Sequence, residues 1–212
     1  MSSQSSQPSR ALPRPISSAA LVISECQHGI LEPERSVSPG LAHEAARRGV
    51  VPRTAQLARA FRARGLPVFH CVIEHRQDQK GMLPNSYLGT MALRSRGMST
   101  GSIDVEIPHE LGPEPSDIVS SRATGLTAFY GTNLDAMLRL QKVETLVLAG
   151  ISTNVALPGL ALEAVNRGYD VILAEDCTAG SSDEVHTFMV ANLLTVLTRV
   201  SSAADVIDRL PN

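Results

Sequence analysis

Tryptophan is absent from this chain of 212 residues, and aromatic side chains make up only 3% of it. No stacking platform for bases or sugars is therefore visible. Cysteine is scarce as well, with three residues, Cys26, Cys71 and Cys177. They form no CxxC pair and no Cys/His zinc spacing, and an odd number argues against a disulfide framework. Each falls at or near the end of a predicted strand and reads as a small buried hydrophobe in a reducing cytoplasm. An excess of one charge is missing too. The net charge of −2, from 19 basic and 21 acidic residues, lacks the footprint of a nucleic-acid-binding protein. No apolar run reaches the ~18–20 residues that span a bilayer. The expectation is a cytoplasmic protein with a small-molecule substrate and neither nucleic acid nor membrane as partner.

What is present is a full complement of core residues, 43% of the chain, enough to bury one domain over residues 19–212. Residues 1–18, MSSQSSQPSRALPRPISS, are rich in Ser, Pro, Gln and Arg. They lack the apolar segment of a secretory signal and read as a disordered or loosely docked tail, although an Arg- and Ser-rich, acid-poor segment would also suit a transit peptide.

Apolar runs at 19–23, 67–72, 118–119, 145–149 and 170–174 predict five strands, with a short sixth near Val200. Between them, helical spacing predicts helices over 50–64, 134–141, 160–167 and 184–199, with Asn133 capping the second and Ser182 or Asp183 the last. Residues 77–112 carry several Gly and Pro and read as a long loop covering a site. Strands alternating with helices imply an α/β fold, three-layer α/β/α, with a mainly parallel central sheet of about six strands. Ligands in such sheets bind beyond the carboxyl ends of the strands. That rule directs attention to residues 24–27, 71–76, 120–125 and 150–156.

The most informative of these is the passage TLVLAGISTNVALPGLALEA, residues 145–164. A buried strand ends at Gly150, and Ser152, Thr153 and Asn154 precede a helix whose free N–H groups suit an anion or a developing oxyanion. Together with LVISECQHGIL (21–31), TAFYGTNLDAML (127–138) and EAVNRGYDVILAEDCTAG (163–180), it resembles the isochorismatase-like hydrolase superfamily over about residues 19–208. Hydrolytic members of that superfamily use an Asp–Lys–Cys triad, with an oxyanion held by N–H groups near a cis peptide. The resemblance places the acid on Glu25, the lysine on Ala123 with Arg122 beside it, the cysteine on Ala156, and the cis peptide between Ile151 and Ser152. Gln27 matches a glutamine two positions after the acid. The chain is thus similar to a subset without the cysteine, sharing an RxxGLxxFxGTxLD segment here made of Arg122, Gly125, Leu126, Phe129, Gly131, Thr132, Leu134 and Asp135.

Ala156 has no nucleophile, so a covalent thioester at that position is excluded by the alignment. Other members without the cysteine cleave a vinyl ether by general acid catalysis, and Glu25 would serve that role here. The catalytic residues implied are therefore Glu25 and Arg122, the latter as a clamp for a substrate anion. Ser152, Thr153, Asn154, Ala156, His75 and Gly125 are expected to line the substrate. A structural salt bridge between Glu25 and Arg122 explains the same two residues. Ordinary turn and cap chemistry likewise explains residues 152–154. Cys26 adjoins Glu25, but its side chain should point to the opposite strand face. Nicotinamidase-type relatives bind a metal through a DxH pattern. Glu74-His75 lacks it, so neither metal nor cofactor is expected. The resemblance also implies a homodimer or homotetramer.

Overall fold

The computed structural model describes Ile16 and residues 18–211. Apart from Ile16 and Ser18, the tail expected over residues 1–18 lies outside them. Strand β1 (Ala19–Ser24) leads through a single helical turn, α1 (His28–Leu31), to α2 (Pro39–Arg47) and α3 (Val50–Arg62). Then come β2 (Val68–Ile73), α4 (Tyr87–Ser95), β3 (Ile118–Arg122), α5 (Leu134–Leu140) and β4 (Thr145–Ile151). Helix α6 (Ala156–Asn166), β5 (Asp170–Ala179) and α7 (Asp183–Met189) follow. A π-helical turn (Val190–Leu194) links α7 to α8 (Thr195–Leu197), and β6 (Arg199–Ser201) and α9 (Ala203–Ile207) close the described chain.

The six strands form one sheet in the order β3-β2-β1-β4-β5-β6, parallel at every pairing. Apolar side chains alternate between its faces. Leu21, Ile23, Val147 and Ala149 pack with Leu57, Phe61 and Val206 of α3 and α9. Val22, Phe69, Leu146 and Leu148 pack instead with Leu138 of α5 and with Leu157 and Leu160 of α6. Burial on both faces is why these strands read as continuous apolar runs rather than alternating ones.

The structure corrects several expected elements. Residues 77–112 are not a bare loop, because they contain α4, whose Ser86 cap accepts from the Gly89 N–H at 3.0 Å, and two short 3₁₀ turns. No residue of α4 is buried, so its short apolar side, Leu88, Met91 and Ala92, does not anchor it in the core. Asn133 occupies the cap position of α5 without a side-chain bond; Thr132 Oγ1 accepts from the Leu134 N–H instead, at 3.3 Å. Helix α6 starts four residues earlier than expected, β5 runs five residues longer, and the last helix is broken by its π turn. Of the two candidates for the α7 cap, Ser182 does the capping.

One glycine sets the register at the centre of the sheet. Ser24 pairs with Gly150, and a Cβ on Gly150 would lie 2.8 Å from the Ser24 nitrogen and closer still to its carbonyl oxygen. Gly150 also adopts φ +96°, which side chains other than glycine's rarely tolerate. Substituting G150A should therefore cost about 3 kcal/mol or more, from overpacking and backbone strain together. A urea midpoint for G150A unchanged from that of the parent protein would contradict this packing.

Candidate functional site

All four rim segments meet where the topology requires. The Glu25 N–H extends the β1–β2 ladder by donating to the Cys71 carbonyl at 2.8 Å, and the Glu74 N–H donates to the Arg122 carbonyl at 2.9 Å. Gln27, fully buried, fastens the junction. Its amide nitrogen donates to the carbonyls of Ile73 (2.8 Å) and Val105 (2.9 Å), while its oxygen accepts from the Ile73 N–H (2.7 Å). Glu25 itself takes φ +53°, a left-handed conformation uncommon for a glutamate. Residues held in sparsely populated backbone regions cluster at functional sites, where the surrounding structure over-determines them.

From that backbone the Glu25 carboxylate reaches Arg122, with Nη2 donating to Oε1 at 2.5 Å. The two side chains are 13% and 5% exposed, so this is a nearly dry ion pair joining the end of β1 to the end of β3 across β2. Arg122 Nε makes a long contact of 3.5 Å with the Gly125 carbonyl, and its Nη1 is buried with no partner among the described residues. A guanidinium with an unused, buried donor is unusual, because such groups are normally satisfied. Gly125 has φ +80°, and a Cβ there would strike the Tyr130 ring, so that position also serves the path of the chain beyond β3.

His75 leaves β2 on the same side. Its Nδ1 lies 3.1 Å from the Ala123 carbonyl. A carbonyl only accepts, so Nδ1 carries the proton and Nε2 keeps a lone pair in the neutral ring. Burial, partly offset by the Ala123 carbonyl and reinforced by the positive Arg122, holds this imidazole below its ordinary range. Near neutral pH it is therefore an uncharged acceptor.

Glu25 and Ser152 leave neighbouring strands β1 and β4 at matching levels, because Ser24 is paired with Gly150. The Ile151–Ser152 peptide is cis, as the resemblance implied. Residue 156 opens α6, and Ala156 and Ser152 are both buried. Behind the turn, Asn154 is clasped to Ser181: its amide nitrogen donates to Oγ and its oxygen accepts from the Ser181 N–H, both at 2.9 Å. Thr153 is wholly buried and faces His186. That His186 contact, like the Gln27 clasp, plays a part in the site region that sequence reasoning missed; only the family match of Gln27 hinted at either.

The cysteines stand apart from this chemistry. Cys26 packs in the apolar core on the α3 side, and burial drives its thiol far above the ordinary range. Cys71 is also buried. Desolvation pushes its thiol up to about 12, with Arg122 pulling down and Glu25 pushing up, and Cys177 is likewise raised to about 12 by burial. None offers an accessible thiolate near neutral pH. Arg94 and Arg96 are solvent-exposed. Among the described residues no cluster of three or more His, Cys, Asp or Glu is arranged to hold a metal ion, and no helix is long and apolar enough to cross a membrane.

A parallel sheet of this order, carrying an acid at the end of its first strand and a cis peptide after the fourth, defines a class. The isochorismatase domain family matches residues 19–205, and the chain belongs to that family of hydrolases. It is 32% identical over 196 residues to the isochorismatase family protein YecD of Escherichia coli O157:H7, which covers 90% of this chain and 95% of that one. Identity to the ureidoacrylate amidohydrolase RutB of Methylobacterium radiotolerans is 31% over 173 residues, 73% of this chain and 65% of that enzyme. An isochorismatase family protein from Burkholderia thailandensis superposes with TM-score 0.71 at 30% identity, covering 91% of this chain and 95% of that one.

Removing one member of a nearly dry ion pair strands the other, which typically costs about 3–5 kcal/mol, whereas removing both is far milder. R122M should therefore be destabilised by about that much, and E25L/R122M by clearly less than the two single changes summed. Urea unfolding of the four proteins checks this; additive losses would mean the pair does not couple.

Proposed function

We propose that the protein is a hydrolase or lyase-like enzyme acting on a small organic anion by general acid/base chemistry without a covalent intermediate. Glu25 is the proton-transferring group, Arg122 binds the substrate's anionic group, and the N–H groups of the 152–156 turn stabilise charge that develops in the reaction. His75, Ser152 and Gly125 border the substrate. The observation that carries this reading is Arg122, a buried guanidinium held in place by Glu25 with Nη1 left over for a ligand. Arginine rather than lysine suits that task, because its planar fork matches a carboxylate. Ala156, at the start of α6, supplies no nucleophile, and the three thiols are buried. We further place the protein in the cytoplasm as a homodimer or homotetramer.

A second reading also has a specific observation behind it. The Glu25 carboxylate is already engaged by Arg122, an arrangement that equally suits a family member that binds a small molecule or a protein partner and turns nothing over.

The two separate in a panel of small carboxylates bearing an amide, ureido or vinyl ether bond. The enzyme reading expects turnover of at least one compound, a loss of at least about 100-fold in E25Q, and no effect of prior thiol alkylation. Thermal stabilisation by a panel compound without turnover would favour the binding reading. An unchanged rate in E25Q would remove Glu25 from the mechanism.

A further inference from the structure

Behind the 152–156 turn lies a buried polar chain that the reaction proposed above does not use. His186, on α7, is 2% exposed. Its Nε2 lies 2.7 Å from Glu175 Oε1, and its Nδ1 lies 3.3 Å from Thr153 Oγ1. Arg48 Nη2 reaches the same Glu175 oxygen at 2.5 Å, and Arg48 Nε donates to the Thr178 carbonyl at 2.8 Å. The order hydroxyl, imidazole, carboxylate matches a nucleophilic relay. The direction of the hydroxyl decides against that role, since Thr153 is 0% exposed and both its N–H and its Oγ1 face residues 179–186 behind the turn.

The proton positions follow from the partners. The His186 hydrogen bond draws the Glu175 carboxyl below its usual range against the opposing effect of burial, and Arg48 adds to it. An ionised carboxylate only accepts, so Nε2 bears the proton. In the neutral ring Nδ1 is then an acceptor, and the Thr153 hydroxyl donates to it. Thr153 N–H donates to the Ala179 carbonyl at 2.9 Å, and Asn154 is clasped to Ser181, so the turn rests on residues 179–186 at three points. There is little slack between them, because a Cβ on Gly180 would come within 2.7 Å of Thr153 Oγ1 and 3.1 Å of His186 Cα.

We propose that His186 is a positioning residue for this site: through Thr153 it fixes the orientation of the 152–156 turn. Taking away Nδ1 leaves the Thr153 hydroxyl without the acceptor that His186 provides, and one of the three points holding the turn is lost. The charged groups facing the ring are Glu175 from β5 and, through it, Arg48 after α2; Asp183, at the start of α7, lies 3.9 Å from Arg48 Nη1. The part of this inference that concerns the turn stands whether or not the site takes an anion, while its consequence for binding rests on the reading above.

Nitrogen NMR of the intact, ¹⁵N-labelled protein tests it. The His186 ring should show the Nε2–H tautomer at pH 8. The amide signals of residues 152–156 should shift in H186L, which leaves Thr153 without that acceptor, and T153V should shift the same amides while the ring keeps its tautomer. In H186N, whose side-chain oxygen can replace Nδ1 as acceptor for Thr153, the amides should resemble the parent. Turn amides that match the parent in H186L, or the opposite tautomer, would overturn the proposal. Acetate binding adds a second readout: H186L should weaken it several-fold and H186N should restore it. Equal affinity in parent and H186L would overturn the consequence for binding. If acetate fails to bind the parent, the anion reading fails, and the NMR result still decides the role of His186.

Discussion

The close approach of β1 to β4 at Gly150 is the constraint on which the arrangement of the rim rests. With no Cβ at Gly150, the Ser24 backbone can lie against it, and the pairing from Ala19↔Thr145 to Ser24↔Gly150 runs without a slip. A slip of one residue would turn Ile23 and Ala149 out of the core on the α3 side and carry Glu25 away from Arg122. Beyond Ser24, the extra turn forced by Glu25 at φ +53° aims its carboxylate along the rim. Gln27 then seals the junction with three hydrogen bonds to the backbone of neighbouring segments. The cost of the unusual backbone at Glu25, of order 1–3 kcal/mol for such conformations, is met by these bonds and by the ion pair.

Electrostatics then divides the site into two zones. At the β3 edge, Arg122 and Glu25 neutralise one another and leave a single guanidinium nitrogen without a partner among the described residues, with His75 as an uncharged neighbour. At the start of α6, the polar side chains of Thr153 and Asn154 are occupied behind the turn, Ser152 and Ala156 are buried, and Val155 is exposed. This separation suits a ligand with a negative group at one end and a polarisable bond at the other. The segment that links the zones is structurally committed: Phe129 lies beneath Arg167 and stacks with Tyr169, whose hydroxyl donates to Asp135. Thr132 ties together two backbone positions, and Thr127 meets the Glu163 carboxylate.

Much of this was legible in the sequence because apolar runs and alternation carry the sheet. The six strands, their parallel sense and the meeting of residues 24–27, 71–76, 120–125 and 150–156 follow from runs such as Leu146-Val147-Leu148 and from the chirality of the crossovers. Hidden were features whose signal is weak. Helix α4 buries no residue, the single turn α1 is too short to show a period, and α2, opened by Ser38 and Pro39, buries just two small residues, Ala42 and Ala45. The Glu25–Arg122 contact was legible as a pair, since a carboxylate ending a buried strand needs a partner. The Thr153–His186–Glu175 chain was not, because its contacting members lie 33 and 11 positions apart and arrive from different elements, and nothing local marks a histidine in a helix as one that faces inward.

The proposed site requires that Arg122 and the start of α6 hold the same ligand. A crystal structure of the protein soaked with malonate tests this most directly, because its two carboxylates can bridge the zones. The expected result is one carboxylate within hydrogen-bonding distance of Arg122 Nη1, with the Glu25 contact to Nη2 retained, and the other against the N–H groups of residues 154–156. Malonate absent from the rim at saturating concentration, or bound there with Arg122 still turned wholly to Glu25 and Gly125, would contradict it.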